Sequence, residues 1–168
     1  MPRVLVGIGT DIVYLPRFTT LLNKYAIREG SLYRVTPRFD KITNKFMHPK
    51  ERNQLDLKLA KGQFKEEEIV NFIGGVWATK EAVLKAMHCY IPYNQIPPAQ
   101  TIYTNLFFKE NTTNGVPRIT FDDGFASRSA QCYAFNQKYI ENKAEALLSI
   151  SHDKDYLVAF VSLMDKKS

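Results

Sequence analysis

Residues able to do acid–base or metal chemistry line one side of a single stretch, Trp77-Ala78-Thr79-Lys80-Glu81-Ala82-Val83-Leu84-Lys85-Ala86. Alanine and straight-chain residues dominate it and no proline interrupts it, so it reads as helix. Trp77, Glu81, Lys85 and His88 follow helical spacing and share one face. Phe72, Val76, Val83 and Met87, with Ala86 beside them, form another face that turns to a core. The first face sets a carboxylate one turn before an ammonium. Taken alone, that is an ordinary pair on a solvated helix, worth ~0.2–0.5 kcal/mol. A second carboxylate, Asp11, stands near the N-terminus. It follows the short apolar run Val4–Ile8, which reads as a buried strand, and so falls at a sheet's rim. Ligands often sit there, but a turn or a helix cap uses Asp in the same place.

The elements that must carry these groups can be read in order. Pro16 opens a helix whose apolar stripe is Phe18, Leu21, Leu22 and Tyr25. His48-Pro49-Lys50-Glu51 starts another, and the long helix begins after the charged link from Lys61 to Glu68. Gly74 and Gly75 interrupt it at ~1 kcal/mol each, which points to close approach of a backbone or a phosphate. Thr101–Phe108 is rich in β-branched and aromatic residues and reads as a strand. Val116–Phe121 returns from a polar turn, making a hairpin. Asp122-Asp123-Gly124 caps a helix to about Ile140. Glu145–Ser151 and Tyr156–Met164 are strands joined by a turn at His152–Asp155.

A chain of 168 residues, 45% apolar and 24% charged, fits one domain, 1–168, with a real core. No apolar run is long enough to span a bilayer. Cys89 and Cys132 read as reduced, partly buried thiols, so the sequon at Asn111 would be idle. A strand begins almost at Met1, leaving no room for a leader. The net charge of +6 calls for an acidic partner without choosing among nucleic acid, lipid, nucleotide and protein.

Three stretches together resemble the holo-acyl-carrier-protein synthases, the small class of 4'-phosphopantetheinyl transferases. They are Gly7-Ile8-Gly9-Thr10-Asp11-Ile12-Val13, Trp77–Ala82 with Lys85, and Leu148-Ser149-Ile150-Ser151-His152-Asp153 followed by an apolar strand. A weaker fourth is Gly115-Val116-Pro117-Arg118. The resemblance implies an α+β fold, an antiparallel sheet packed on a long central helix. It implies transfer of 4'-phosphopantetheine from coenzyme A to a serine of an apo acyl carrier protein, releasing 3',5'-ADP. Asp11 and Glu81 would hold Mg²⁺, which takes one or two carboxylates and fills its shell with phosphate and water. Asp11, Glu81 and Lys85 would be catalytic. Glu81 or a metal-held water would take the serine proton, and Lys85 would meet charge on the leaving group.

By the same resemblance, Lys80, Lys85, Gly115, Pro117, Ser151 and His152 would contact coenzyme A, and Arg17 would grip the acidic carrier protein. Without it, Ser151 and His152 are merely a polar hairpin turn. A basic residue that bacterial members carry before the Trp-Ala-x-Lys-Glu-Ala stretch is missing, replaced by Gly75 and Val76, and Lys50 or Arg52 would stand in for it. The chain is also longer between residues 28 and 70 than bacterial members. The resemblance further implies a homotrimer with coenzyme A between neighbours. A fungal mitochondrial-type member would work in the matrix, the alternative being the cytoplasm.

Two other functions are weighed against this. One is a basic nucleic-acid-binding module using Arg28–Phe46, where basic and aromatic residues alternate. The other is a Mg²⁺-dependent nucleotide hydrolase using the same carboxylates.

Overall fold

The computed structural model describes residues 3–30, 32–141 and 144–165. Met1 and Pro2, which the sequence reading runs into the first strand, lie outside the described residues. Strand β1 (Val4–Tyr14) leads into helix α1 (Pro16–Tyr25), which Pro16 starts from its first position. A small hairpin, β2 (Ala26–Glu29) and β3 (Leu32–Val35), precedes α2 (Pro37–Thr43), capped by the Thr36 hydroxyl accepting from Phe39 N–H at 3.3 Å. Helix α3 (Pro49–Lys61) begins where expected. The His48 ring accepts from Lys50 N–H at 3.2 Å, and Glu51 accepts from His48 N–H at 2.8 Å. Gly62, in the left-handed conformation at φ 60°, ends it.

Helix α4 (Glu66–Met87) is the long central helix. Then come α5 (Ala99–Thr101), a wide π-type turn at Ile102–Leu106, and the hairpin β4 (Phe107–Asn111) and β5 (Pro117–Phe121). Helix α6 (Ala130–Phe135) follows, and the long hairpin β6 (Ala144–Asp153) and β7 (Tyr156–Asp165) comes last. The fold is α+β. The main sheet is antiparallel in the order β1-β7-β6, and α4 packs across one face of it.

Several details differ from the sequence reading. Thr101–Phe108 is mostly helical, because the chain leaves Pro98 turning and only becomes a strand at Phe107. The helix expected to reach Ile140 is broken into a 3-10 turn at Phe125–Arg128, α6 after the Ser129 cap, and a π-type turn. His152 and Asp153 belong to β6, not to the turn. Cys132 is buried as expected, but Cys89 is exposed.

β1 is longer than its apolar run and contains Asp11 rather than ending before it. It is not buried on both faces. Gly7, Gly9, Asp11 and Val13 turn toward α4, while Ile8, Ile12 and Tyr14 turn to solvent with Val158 and Phe160 of β7.

The glycines that permit close approach are also different ones. A Cβ on Gly9 would lie 2.0 Å from the Ala82 carbonyl oxygen, and one on Gly7 would lie 2.2 Å from that of Ala86. Backbone therefore meets backbone where β1 crosses α4. At Gly74 the close neighbour is the Leu15 side chain, 2.8 Å from a would-be Cβ, and at Gly75 nothing comes nearer than 3.7 Å. Gly9→Ala should thus lose about 3 kcal/mol or more of stability in urea unfolding. Gly75→Ala should be neutral or gain up to about 1 kcal/mol from helix propensity.

Candidate active site

The seam between β1 and α4 places three charged groups together. Gly9 brings the strand down on the helix at Ala82, and the next inward side chain along β1 is Asp11. The Lys85 ammonium donates to Asp11 Oδ1 at 2.8 Å and to the Thr10 carbonyl at 3.1 Å. Glu81, one turn earlier on α4, accepts from the Tyr103 hydroxyl through Oε1 at 2.8 Å. Tyr103 arrives on the π-type turn after α5 and is buried. Burial, the hydrogen bond to Glu81, and the fields of Glu81 and Asp11 all push its phenol pKa up. Tyr103 is therefore a fixed, neutral donor, and its hydroxyl senses both carboxylates. Among the described residues, Asp11 Oδ2 and Glu81 Oε2 have no hydrogen-bond donor.

Nothing in the sequence singles out Tyr103. Its strand-like surroundings gave it no special position, and only the turn from Pro98 brings it to Glu81.

Arg17 is exposed at the start of α1. Its guanidinium lies 4.7 Å from the Phe18 ring centre and 5.3 Å from that of Trp77. Beside it is a cavity of about 350 Å³ walled by Leu21, Ile42, Phe46, Trp77 and Tyr103. Arg17, the apolar cavity and Glu81 are thus linked through Tyr103.

Lys80 does not join this group. Although adjacent to Glu81 in sequence, it leaves the helix on another side and is completely buried, so its ammonium is not presented to a ligand. It lies 3.0 Å from Glu51 Oε2 and donates to the Phe107 carbonyl at 2.7 Å. Glu51 also accepts the backbone N–H groups of His48 and Lys109. Burial works against both charges, pushing Glu51 up and Lys80 down to about 8. The donors converging on Glu51 suit the carboxylate, so we assign an ionised pair. It ties α3, α4 and β4 together beneath the site.

Gly115 sits in the β4–β5 turn at φ 80°, and Pro117 opens β5 opposite Asn111. Ser151 and His152 are exposed near the end of β6. Across the sheet, Ser151 aligns with Val158 and Ile12, and His152 with Leu157 and Val13. They are therefore two strands away from β1, roughly 10 Å. His152 is on the Asp11 side of the sheet, and Ser151 is on the outer, apolar side. The structure brings Asp11, Glu81 and Lys85 together, and it sets Gly115, Pro117, Ser151 and His152 apart from them within one chain.

Arg52 cannot replace the missing basic residue. Its guanidinium is engaged by Asp40 Oδ1 at 2.7 Å and by the Thr43 hydroxyl at 2.9 Å. Lys50 is exposed, with its ammonium 4.2 Å from the Phe108 ring centre.

Residues 7–161 match the family model described as the 4'-phosphopantetheinyl transferase superfamily, and the chain belongs to that superfamily. Within it, the chain is similar to the mitochondrial holo-[acyl-carrier-protein] synthase of Saccharomyces cerevisiae. The two are 38% identical over 167 residues, covering 98% of this chain and 95% of the relative. Among solved structures, the holo-[acyl-carrier-protein] synthase of Neisseria meningitidis superposes with a TM-score of 0.61 at 21% identity, covering 95% of this chain and 98% of that one. That of Bacillus anthracis, in complex with CoA (3',5'-ADP), gives 0.58 at 23%, covering 97% and 98%. At these identities the structural likeness speaks for the fold.

The buried pair yields a stability prediction. Lys80→Met should cost about 3–5 kcal/mol, because it strands the Glu51 carboxylate in the core. Urea unfolding of the variant measures this, and a near-normal midpoint would contradict an ionised pair.

Proposed function

We propose that this protein transfers 4'-phosphopantetheine from coenzyme A to a serine of an apo acyl carrier protein, leaving 3',5'-ADP. The observation that carries the reading is the meeting of Asp11, Glu81 and Lys85 across the β1–α4 seam. The name of the yeast relative supports the choice of carrier protein.

The donor set suits a hard cation. Among the described residues, no group of three or more His, Cys, Asp or Glu gathers into an all-protein cage. Two carboxylates, each with an oxygen left over, are what magnesium takes when phosphates and water supply its other ligands. Asp11 and Glu81 would hold it. When bound, it would neutralise and orient the pyrophosphate.

The chain's own groups do the rest. Tyr103 fixes Glu81 by its Oε1, so the carboxylate does not turn freely. Glu81, or a water beside it, accepts the proton of the attacking serine. Lys85 is half exposed, with its ammonium on Asp11, and meets the negative charge growing on the departing 3',5'-ADP. Arg17 and the apolar cavity beside it form a basic rim around a greasy pocket, suited to an acidic helix that carries one apolar side chain.

We further infer a homotrimer with coenzyme A between copies. The outer sheet face leaves Ile12 63% and Phe160 40% exposed, and Ser151 stands on that same face. Covering that face with a neighbour would bury its exposed apolar side chains. The yeast relative's name supports a mitochondrial location.

A nucleic-acid platform at Arg28–Phe46 is not favoured. Tyr33, Phe39 and Phe46 are core residues at 7%, 0% and 3% exposure, so their rings are not available for stacking on bases.

The test is mass spectrometry of an apo carrier protein incubated with this protein, coenzyme A and Mg²⁺. A phosphopantetheine-sized gain is expected, and no gain would overturn the reading. Asp11→Ala or Glu81→Ala should lower turnover on the order of 10²-fold or more. Arg17→Ala should chiefly raise the KM for carrier protein. For the assembly, Ile12→Glu with Phe160→Glu should yield monomers by light scattering and lose transfer. A fully active trimer from that variant would place the interface elsewhere.

A further inference from the structure

Helix α3 is capped by a side chain that titrates near neutrality. Helix caps are ordinarily Ser, Thr, Asp or Asn, none of which changes charge near pH 7. Here the cap is the ring of His48, which is 2% exposed. Its Nδ1 accepts from Lys50 N–H at 3.2 Å, so that nitrogen carries no proton and the single ring proton sits on Nε2. Nε2 lies 2.8 Å from Asp122 Oδ2, out of line for a good hydrogen bond. The other Asp122 oxygen, Oδ1, accepts from Gly124 N–H at 2.7 Å. The Phe108 ring closes one side, its centre 5.2 Å away. Among the described residues, the charged groups around the imidazole are Lys50 and Glu51 of α3, Lys80 of α4 and Asp122 beyond β5. Burial and the two lysines hold its pKa below the ordinary value, and Asp122 opposes them.

We propose that His48 is an acid-sensitive latch, which on gaining a proton releases the start of α3 and loosens the Glu51–Lys80 anchor beneath the site. The incoming proton has one place to go, Nδ1, where the Lys50 N–H already points. Two donors then face each other and the cap is lost. The new positive charge is repelled by Lys80 and Lys50 and drawn by Asp122, so the ring is pulled from α3 toward the end of β5. Glu51 stands in the same first turn. It accepts the His48 N–H at 2.8 Å through Oε2, the oxygen 3.0 Å from the Lys80 ammonium. Displacing His48 therefore takes a donor from the carboxylate that anchors α4 one residue before Glu81. A histidine held neutral in the folded state supports folding fully above its ordinary value of 6.5, and that support is lost as pH falls through the lowered value. Glu51, pushed up by burial, works the other way, because the folded state gains from its protonation. A loss on mild acidification is thus the signature of His48. The latch stands apart from the transferase reading, which bears only on what a loosened anchor does to turnover.

The test is urea unfolding of the full chain between about pH 7.5 and about pH 5, with His48→Asn and, as a control at an exposed histidine, His88→Asn beside wild type. An Asn cap accepts the same N–H and does not titrate. In wild type and His88→Asn, the folded-to-unfolded ratio at fixed urea falls about threefold or more across that range, whereas in His48→Asn it changes less than about twofold. NMR of wild type reads the latch directly and does not depend on the variant folding. The His48 ring protons titrate below pH 6.5, and over the same range exchange of the Lys50 amide, corrected for pH, speeds up. Parallel pH dependence of wild type and His48→Asn overturns the proposal. So does a His48 ring that titrates at or above 6.5, or a Lys50 amide whose corrected exchange stays constant. Absence of carrier-protein modification by wild type would sink the transferase reading alone and leave the unfolding and exchange results standing.

Discussion

The contact on which the site depends is made by backbone alone. Where β1 crosses α4, the strand's glycines rest against the carbonyls of Ala82 and Ala86 at a separation that no side chain could share. Protein interiors are close-packed and deform little, so such a seam fixes the height of the strand above the helix. That height decides whether Asp11 reaches Lys85 and stands with Glu81 over one space. The convergence of Asp11 and Lys85 comes from the side chains missing at positions 7 and 9.

A second constraint acts from beneath. Glu51, Lys80 and the Phe107 carbonyl join α3, α4 and β4 through charge-assisted bonds in a dry setting. A buried ion pair gains little net stability over a well-packed apolar substitute, but breaking one partner is costly. Its effect here is geometric. It pins the rotation of α4 at the residue just before Glu81. The helix carries the proposed site's carboxylate on one side and its anchor on another, within two successive residues.

Much of this was legible in the sequence where the signals are local. The long helix, the His48-Pro49 start of α3, the β4–β5 hairpin and the pairing of the last strands follow from periodicity, caps and turn residues. The roles proposed for Asp11, Glu81 and Lys85 rest on matching separated stretches to a family, since one helix face with a Glu and a Lys is common. What was misread depended on distant partners. Gly74 and Gly75 attracted notice because they interrupt a helix, but a sequence does not say what approaches a glycine, and Gly7 and Gly9 look unremarkable in a strand. Lys80 sat inside a reactive motif, while the residue that buries it is Glu51, on another helix. Tyr103 lay in a β-branched, aromatic run whose strand propensity was overridden by the turn at Pro98 and by packing.

The pairing of β1 with β7 has a temporal consequence. Residues 4–14 pair with residues 156–165 of β7, which also pairs locally with β6, so β1 joins the sheet through a contact distant in sequence. Such non-local pairing carries loop-closure entropy and slows folding. During synthesis, the segment bearing Asp11 emerges before the strand it pairs with. The placement of Asp11 thus depends on β1 docking against β7, a step that comes only after both have been made.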